Sequence, residues 1–238
     1  MGHVTVVGGC RAKAPAPGVL ASSLAVGSTV KLMEGGTAVE YLVVNQGIPS
    51  NSSLYDASCN GTWLLRKDIH SERQWDSGSG DDAYKTSTIN TWLNGDFFNS
   101  LGSIEQSTIK QVQIPYYSLS LGNPIFNLTC KVFLLGGYEV GFTTEYNSNF
   151  PVDGAKLSYF EFGVGTSASN KRLAYMNGAV TTWWLRSPKI GNSRYYVWQA
   201  NSNGIDDTGL TANSYGVRPT LILPSTAKFD ATTMLLKG

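Results

Sequence analysis

Two histidines, three cysteines and a thin scatter of carboxylates are the groups in this chain that could do covalent or acid–base chemistry. Their placement argues against it. His3 stands near the start, and His70 follows an apolar run among Lys67, Asp68, Ser71 and Glu72, the company of a solvated loop. Cys10, Cys59 and Cys130 are odd in number and lack CxxC spacing, which speaks for free thiols rather than a disulfide scaffold or a zinc site. The acid doublets Asp81-Asp82 and Asp206-Asp207 are adjacent in sequence. Adjacent residues seldom face one sugar ring with carboxyl groups ~5–9 Å apart, as glycoside hydrolysis requires. Asn201-Ser-Asn203-Gly-Ile-Asp206-Asp207 brings hard oxygen ligands close together, but its spacing departs from the calcium loop of an EF-hand, and a solvated polar turn is the commoner explanation. The chain is read as non-enzymatic, with no cofactor and no bound metal.

A second kind of chemistry, recognition, has better support. Lys189–Tyr215 carries Asn192, Tyr195, Tyr196, Trp198, Asn201, Asn203, Asp206, Asp207, Asn213 and Tyr215. Flat rings beside directional hydrogen-bonding groups are what carbohydrate and protein epitopes both need, so these ten residues are the expected ligand-binding set. The competing account gives part of the set to the core and the turns, with Val197 and Trp198 packing inward and Asn203-Gly204 supplying turn chemistry.

The elements that must hold this segment follow from periodicity. Thr29–Met33 and Val39–Asn45 read as strands of a hairpin turned at Gly35-Gly36, and Thr62–Lys67 as a third strand. Ser87-Thr88 opens a helix whose apolar face is Ile89, Trp92, Leu93 and Phe97, weakened by Gly95. Ile104, Ile109 and Val112 predict a second helix, capped by Ser103 and stopped before Pro115. Lys131–Leu135 reads as a buried strand, and 136–182 as mostly irregular. Thr182–Pro188 and Arg194–Ala200 read as strands, the latter turned by Asn203-Gly204, and 216–224 closes the domain. Trp183, Trp184 and Leu185 form an unbroken apolar run, read as core. Arg186 and Arg218 are read as structural, paired with backbone carbonyls or Asp153, because an unpaired buried charge is expensive.

A hairpin, two helices and several short strands between long loops predict an α+β domain over 26–238. Residues 1–25, punctuated by Gly8-Gly9, Pro15, Pro17 and Gly18, are read as an extended arm for anchoring or oligomerisation. Composition points outward. Only 15% of residues are charged, while the chain holds 26 Gly, 12 Tyr and 6 Trp. A net charge of +1 leaves no electrostatic footprint for nucleic acid, and no apolar stretch approaches the ~20 residues of a membrane span. The opening residues lack the basic region of a signal peptide, so exposure is expected through lysis or particle assembly.

Trp183-Trp-Leu-Arg-Ser-Pro188, followed by Tyr215-Gly-Val-Arg-Pro219 and Leu221-Ile-Leu-Pro224, resembles a family of uncharacterised domains from gut phages, prophages and Clostridia-like bacteria. Gly27–Asn45, Gly61–Lys67, Phe133–Leu135, Glu139–Gly141 and Asp153–Phe160 resemble it too, so the likeness runs over 25–225. Such domains are similar to the C-type-lectin-like group, which includes the formylglycine-generating-enzyme branch and the variable proteins of diversity-generating retroelements. The resemblance implies a C-type-lectin-like fold in which the segment between the tryptophan-rich strand and the closing Gly-x-Arg strand faces the ligand. The reactive C-terminal cysteines of the formylglycine branch are absent beyond Cys130. The lectin calcium triplets are absent as well. The resemblance implies a binding protein on the surface of a phage-like virion, a homo-oligomer recognising a bacterial surface glycan or protein and held to other virion proteins through its arm. The alternative is a purely structural virion assembly protein without a host ligand.

Overall fold

The computed structural model describes residues 18–49, 53–77, 83–118, 125–145, 147–191 and 195–238. Asn192, His3, Cys10, Asp81, Asp82 and most of the arm lie outside the described residues. In chain order the first strands are β1 (Gly18–Leu20), β2 (Thr29–Glu34), β3 (Thr37–Gln46), β4 (Thr62–Arg66), β5 (Glu72–Gln74), β6 (Val112–Tyr117), β7 (Ile125–Cys130) and β8 (Val132–Phe133). They continue with β9 (Tyr175–Met176), β10 (Ala179–Val180), β11 (Trp183–Pro188), β12 (Tyr196–Ala200), β13 (Asp206–Leu210), β14 (Ser214–Gly216), β15 (Thr220–Leu223), β16 (Lys228–Asp230) and β17 (Leu236–Lys237). The helices are short: α1 (Thr88–Trp92), α2 (Phe98–Ser100), α3 (Ser103–Thr108) and α4 (Thr166–Arg172). Mixed, mostly antiparallel strands with few helices make this an α+β arrangement. No helix among the described residues is long and apolar enough to cross a membrane.

Two five-stranded sheets carry the domain, ordered β2-β3-β4-β15-β8 and β13-β12-β11-β14-β5. β2 alternates half-buried and buried residues, the period of a strand with one face on the core. Central β15 is buried along its whole length, which is why its sequence reads as an uninterrupted apolar run. The β2–β3 hairpin turns on Gly35 and Gly36, both at positive φ (52° and 81°), as its tight register requires. Gly216-Val-Arg-Pro219 joins the sheets: Gly216 pairs in parallel with Trp183 of β11, and Thr220 pairs with Leu65 of β4. Trp63, Trp75, Trp183, Trp184 and Trp198 are all buried in one core.

Several expectations shift. Gly18–Leu20, assigned to the arm, pairs with Lys228–Asp230, and Ala21 is fully buried, so the end of that segment belongs to the body of the domain. The helix opening at Ser87 forms, with the Ser87 hydroxyl accepting from the Asn90 amide, but it passes through a π turn at Leu93–Phe97. The second helix ends at Thr108 and is capped by Gly102, not Ser103. Val112 and Pro115 instead lie in β6, whose only strand partner among the described residues is β7. A proline is tolerated in such a two-stranded ribbon, where one row of backbone groups needs no ladder partner. Within the stretch read as irregular, Thr166–Arg172 is helical.

Candidate recognition surface

The expected binding set does not converge on one spot. Tyr195 and Tyr196 are 45% and 36% exposed at the start of β12, and Tyr196 pairs across strands with Leu210, itself 40% exposed. The Lys189 ammonium approaches the Tyr196 ring at 5.8 Å. Asn201, Asn203, Asp206 and Asp207 lie at the other end of the β12–β13 hairpin, about four strand residues or ~14 Å away. There the Asn201 Oδ1 accepts from the Asn203 and Ile205 amides and organises the turn, while Asp207, already in β13, accepts from the Thr208 amide. Asn213 is exposed, while Tyr215 is half-buried with its ring edge-on to Trp184 at 4.8 Å.

Trp198 must be removed from the set. It is 2% exposed, stacked on Phe150 at 3.8 Å, and its indole N–H donates to the Asn149 carbonyl. It shares a strand face with Tyr196, two residues earlier, but Phe150 covers it, and so it supports a surface instead of facing a ligand. Phe150 stacks in turn on Phe142 at 5.4 Å, so the three rings tie Phe142 and Phe150 to β12.

The loop that carries them leads to a surface the sequence did not single out. Two arginines with no exposed side-chain area hold it. Arg186 uses all five of its N–H donors. Nη1 and Nη2 form a fork on Glu139 at 2.6 and 2.7 Å, and the other bonds reach the carbonyls of Pro115 (2.9 Å), Leu134 (3.0 Å) and Asp153 (3.0 Å). Glu139 further accepts from the Tyr55 hydroxyl at 2.6 Å and the Gly136 amide at 2.9 Å. Burial, then the Glu139 charge, holds the Tyr55 phenol far above its ordinary range. The Arg186 partner is thus Glu139, with Asp153 contributing its backbone carbonyl. The Asp153 carboxyl accepts from the Ser187 hydroxyl at 2.7 Å, and burial pushes its pKa up to about 6.

Arg172 does similar work from α4, donating to the carbonyls of Gly204, Val140 and Gly163 with its guanidinium 4.2 Å over the Phe142 ring. Gly141 lets the two loops meet: its φ is +88°, and a Cβ there would fall 2.0 Å from the Glu161 carbonyl oxygen.

On these immobilised loops stand Phe162, Val152 and Val164, which are 57%, 50% and 41% exposed. Phe162 and Tyr138 are shared by two adjoining cavities of about 330 and 300 Å³. Lys156 lies 5.2 Å from the Phe162 ring, and the Tyr138 hydroxyl is 3.1 Å from that of Thr144. The buried Thr143 hydroxyl, in the wall of the second cavity, has no hydrogen-bond partner among the described residues. Aromatic faces ringed by hydroxyls can grip a sugar or a peptide. The sequence signals that could have found this surface were Glu139 and Asp153, two acids in an otherwise apolar, glycine-rich context.

Groups that could suggest catalysis are placed otherwise. His70 packs edge-on to Trp92 and Phe97, its Nδ1 is 2.9 Å from the Ser71 hydroxyl, and burial pushes its pKa down. Cys59 and Cys130 are buried free thiols; burial pushes Cys59 up to about 11 and Cys130 well above its ordinary value. Among the described residues, no group of three or more His, Cys, Asp or Glu side chains is gathered to hold a metal ion.

No curated protein and no solved structure matches the chain. A family described as a domain of unknown function, DUF6273, matches residues 60–225, from the entry into β4 to just beyond β15. That span takes in the Trp183–Pro188 and Gly216–Pro219 motifs, Arg172 and Arg186, and both loops of the Phe162 surface, and covers well over half of the sequence. The chain therefore belongs to the DUF6273 family.

Proposed function

We propose that this protein is a non-catalytic recognition domain that binds a glycan or protein of a bacterial surface from a phage-like particle. The observation that carries this reading is the exposure of Phe162, Val152 and Val164 on irregular loops that buried Arg186 and Arg172 fix in place. Loops with apolar tips ordinarily fold inward. Here two costly buried charges keep them open, which suits a preorganised binding surface that loses little entropy on binding. Tyr195, Tyr196 and Leu210 add a second exposed apolar patch at the start of β12.

A C-type-lectin-like fold is part of the proposal. Short antiparallel strands, a long loop excursion between β8 and β11, and a closing Gly-x-Arg segment paired beside the tryptophan-rich strand support it. The location on a phage-like particle rests on the resemblance of the end motifs to phage and prophage domains, and arm-mediated homo-oligomerisation on the same ground.

The test is an array of bacterial surface polysaccharides probed with the whole chain and with Phe162→Ala and Tyr196→Ala. A defined subset bound by the wild type, with signal lost in Phe162→Ala at unchanged melting temperature, supports recognition. An unbound array, or binding that neither substitution weakens, sinks it and leaves the assembly-protein reading.

A further inference from the structure

A cavity of about 570 Å³, remote in sequence from both surfaces described above, opens beside the π turn Leu93–Phe97 and is closed on its far side by the end of β7. Its volume falls within the ~300–1,000 Å³ typical of small-ligand sites. Single π turns inserted in α-helices occur often at functional sites. Here Asn94 fastens the turn to the start of β8. Its amide donates to the Val132 carbonyl at 2.9 Å, and its Oδ1 accepts from the Lys131 and Val132 amides at 2.9 and 3.1 Å. Asn94 thus ties the two walls of the cavity together.

Three features of the lining point to a ligand. Gly95 weakens the helix it interrupts, yet no contact demands it: a Cβ at this position would meet no atom within 4 Å. The missing side chain leaves room for a ligand to approach the backbone. Lys131 is half-buried and forms no ion pair among the described residues; its ammonium lies 4.5 Å from the Phe98 ring centroid and donates a long 3.3 Å bond to the Gln106 carbonyl. An ammonium has three donors, so capacity is left for an anion. Around it, exposed Gln111 and Thr129 present an amide and a hydroxyl, Thr91 presents a hydroxyl oxygen that accepts while it donates to the Ser87 carbonyl, and no carboxylate lines the cavity; Asp96, next to Gly95, is exposed outside it.

We infer that this cavity binds an anionic sugar unit, carboxylated or phosphorylated. Lys131 takes the charged group, Phe98 packs against the apolar face of the ring, and Thr91, Gln111 and Thr129 bond its hydroxyls. The site is independent of the Phe162 surface, so either can fail without the other.

Calorimetric titration of the full chain with glucuronate, glucose 6-phosphate, glucose and inorganic phosphate tests the inference. One or both anionic sugars bind, at least about tenfold more tightly than glucose or phosphate, the worth of one charged hydrogen bond. Lys131→Met weakens that binding by about tenfold or more on the same ground. Gly95→Leu, which fills open space, abolishes it while the melting temperature holds or rises, and Phe162→Ala leaves it unchanged. Should Gly95→Leu fail to fold, Lys131→Met decides alone. No binding of either anionic sugar, binding that Lys131→Met does not weaken, or glucose or phosphate binding as tightly as the anionic sugars overturns the inference.

Discussion

Glu139→Gln is the sharpest perturbation of the frame that carries the exposed loops. Both members of the Glu139–Arg186 pair have no exposed side-chain area and meet through a fork at 2.6 and 2.7 Å. The amide keeps the shape of the acid but removes the charge, and its NH₂ group must face an Arg186 N–H, a Tyr55 hydroxyl or the Gly136 amide, each a donor to Glu139 in the native fold. Removing one partner of a buried ion pair costs roughly 3–5 kcal/mol, because the other charge is left uncompensated. For a chain of this size, each kcal/mol moves the melting temperature by about 2–4 °C, so a fall of roughly 6–20 °C is expected. Urea unfolding followed by tryptophan fluorescence gives the free energy directly, since five tryptophans lie in the same core. Hydrogen exchange adds the local reading: amides of 136–145 and 152–165 should lose protection before those of β4 and β15. A loss below about 1 kcal/mol, with those loops still protected, would refute the view that this pair holds the surface. The double variant Glu139→Leu/Arg186→Met should regain much of the loss, since apolar replacement of a buried pair is often neutral or stabilising.

Other outcomes follow from the same geometry. Burial raises the Asp153 carboxyl to about 6 in the folded chain, against an ordinary value near 3.8, so the folded state binds its proton more tightly than the unfolded state. Its contribution is complete below about pH 4 and is lost as pH climbs through 6; a difference of about two pH units is worth about 3 kcal/mol, and Asp153→Asn should flatten that part of a stability–pH curve. Trp198→Ala should cost roughly 3–5 kcal/mol in urea unfolding, the penalty of emptying a core aromatic site, whereas a ligand-facing ring would cost far less. Gly141→Ala should destabilise by more than about 1 kcal/mol, since the residue holds φ +88° with the Glu161 carbonyl 2.0 Å from the added Cβ. Phe162→Ala should leave the melting temperature within about 2 °C of wild type, because the ring is more than half exposed.

The sequence by itself was enough for the α+β class, the β2–β3 hairpin, the helix opening at Ser87 and the burial of Trp183, Trp184 and Leu185. These are local matters: strand and helix periods, a cap, paired glycines and an unbroken apolar run each express themselves over a few neighbouring residues. It also marked Arg186 as structural, because a guanidinium inside an apolar run must find partners. Which partner it finds was not legible. Glu139 lies 47 residues away, and only the tertiary fold brings the two together. The same limit governs the surfaces. Trp198 and Tyr196 are two residues apart with similar chemistry, yet Phe150, from a distant loop, covers one and leaves the other at the solvent. Phe162 looks like any core phenylalanine in sequence; it is exposed in a loop whose Glu161 and Gly163 carbonyls accept from buried Arg172, a contact that local propensity does not announce.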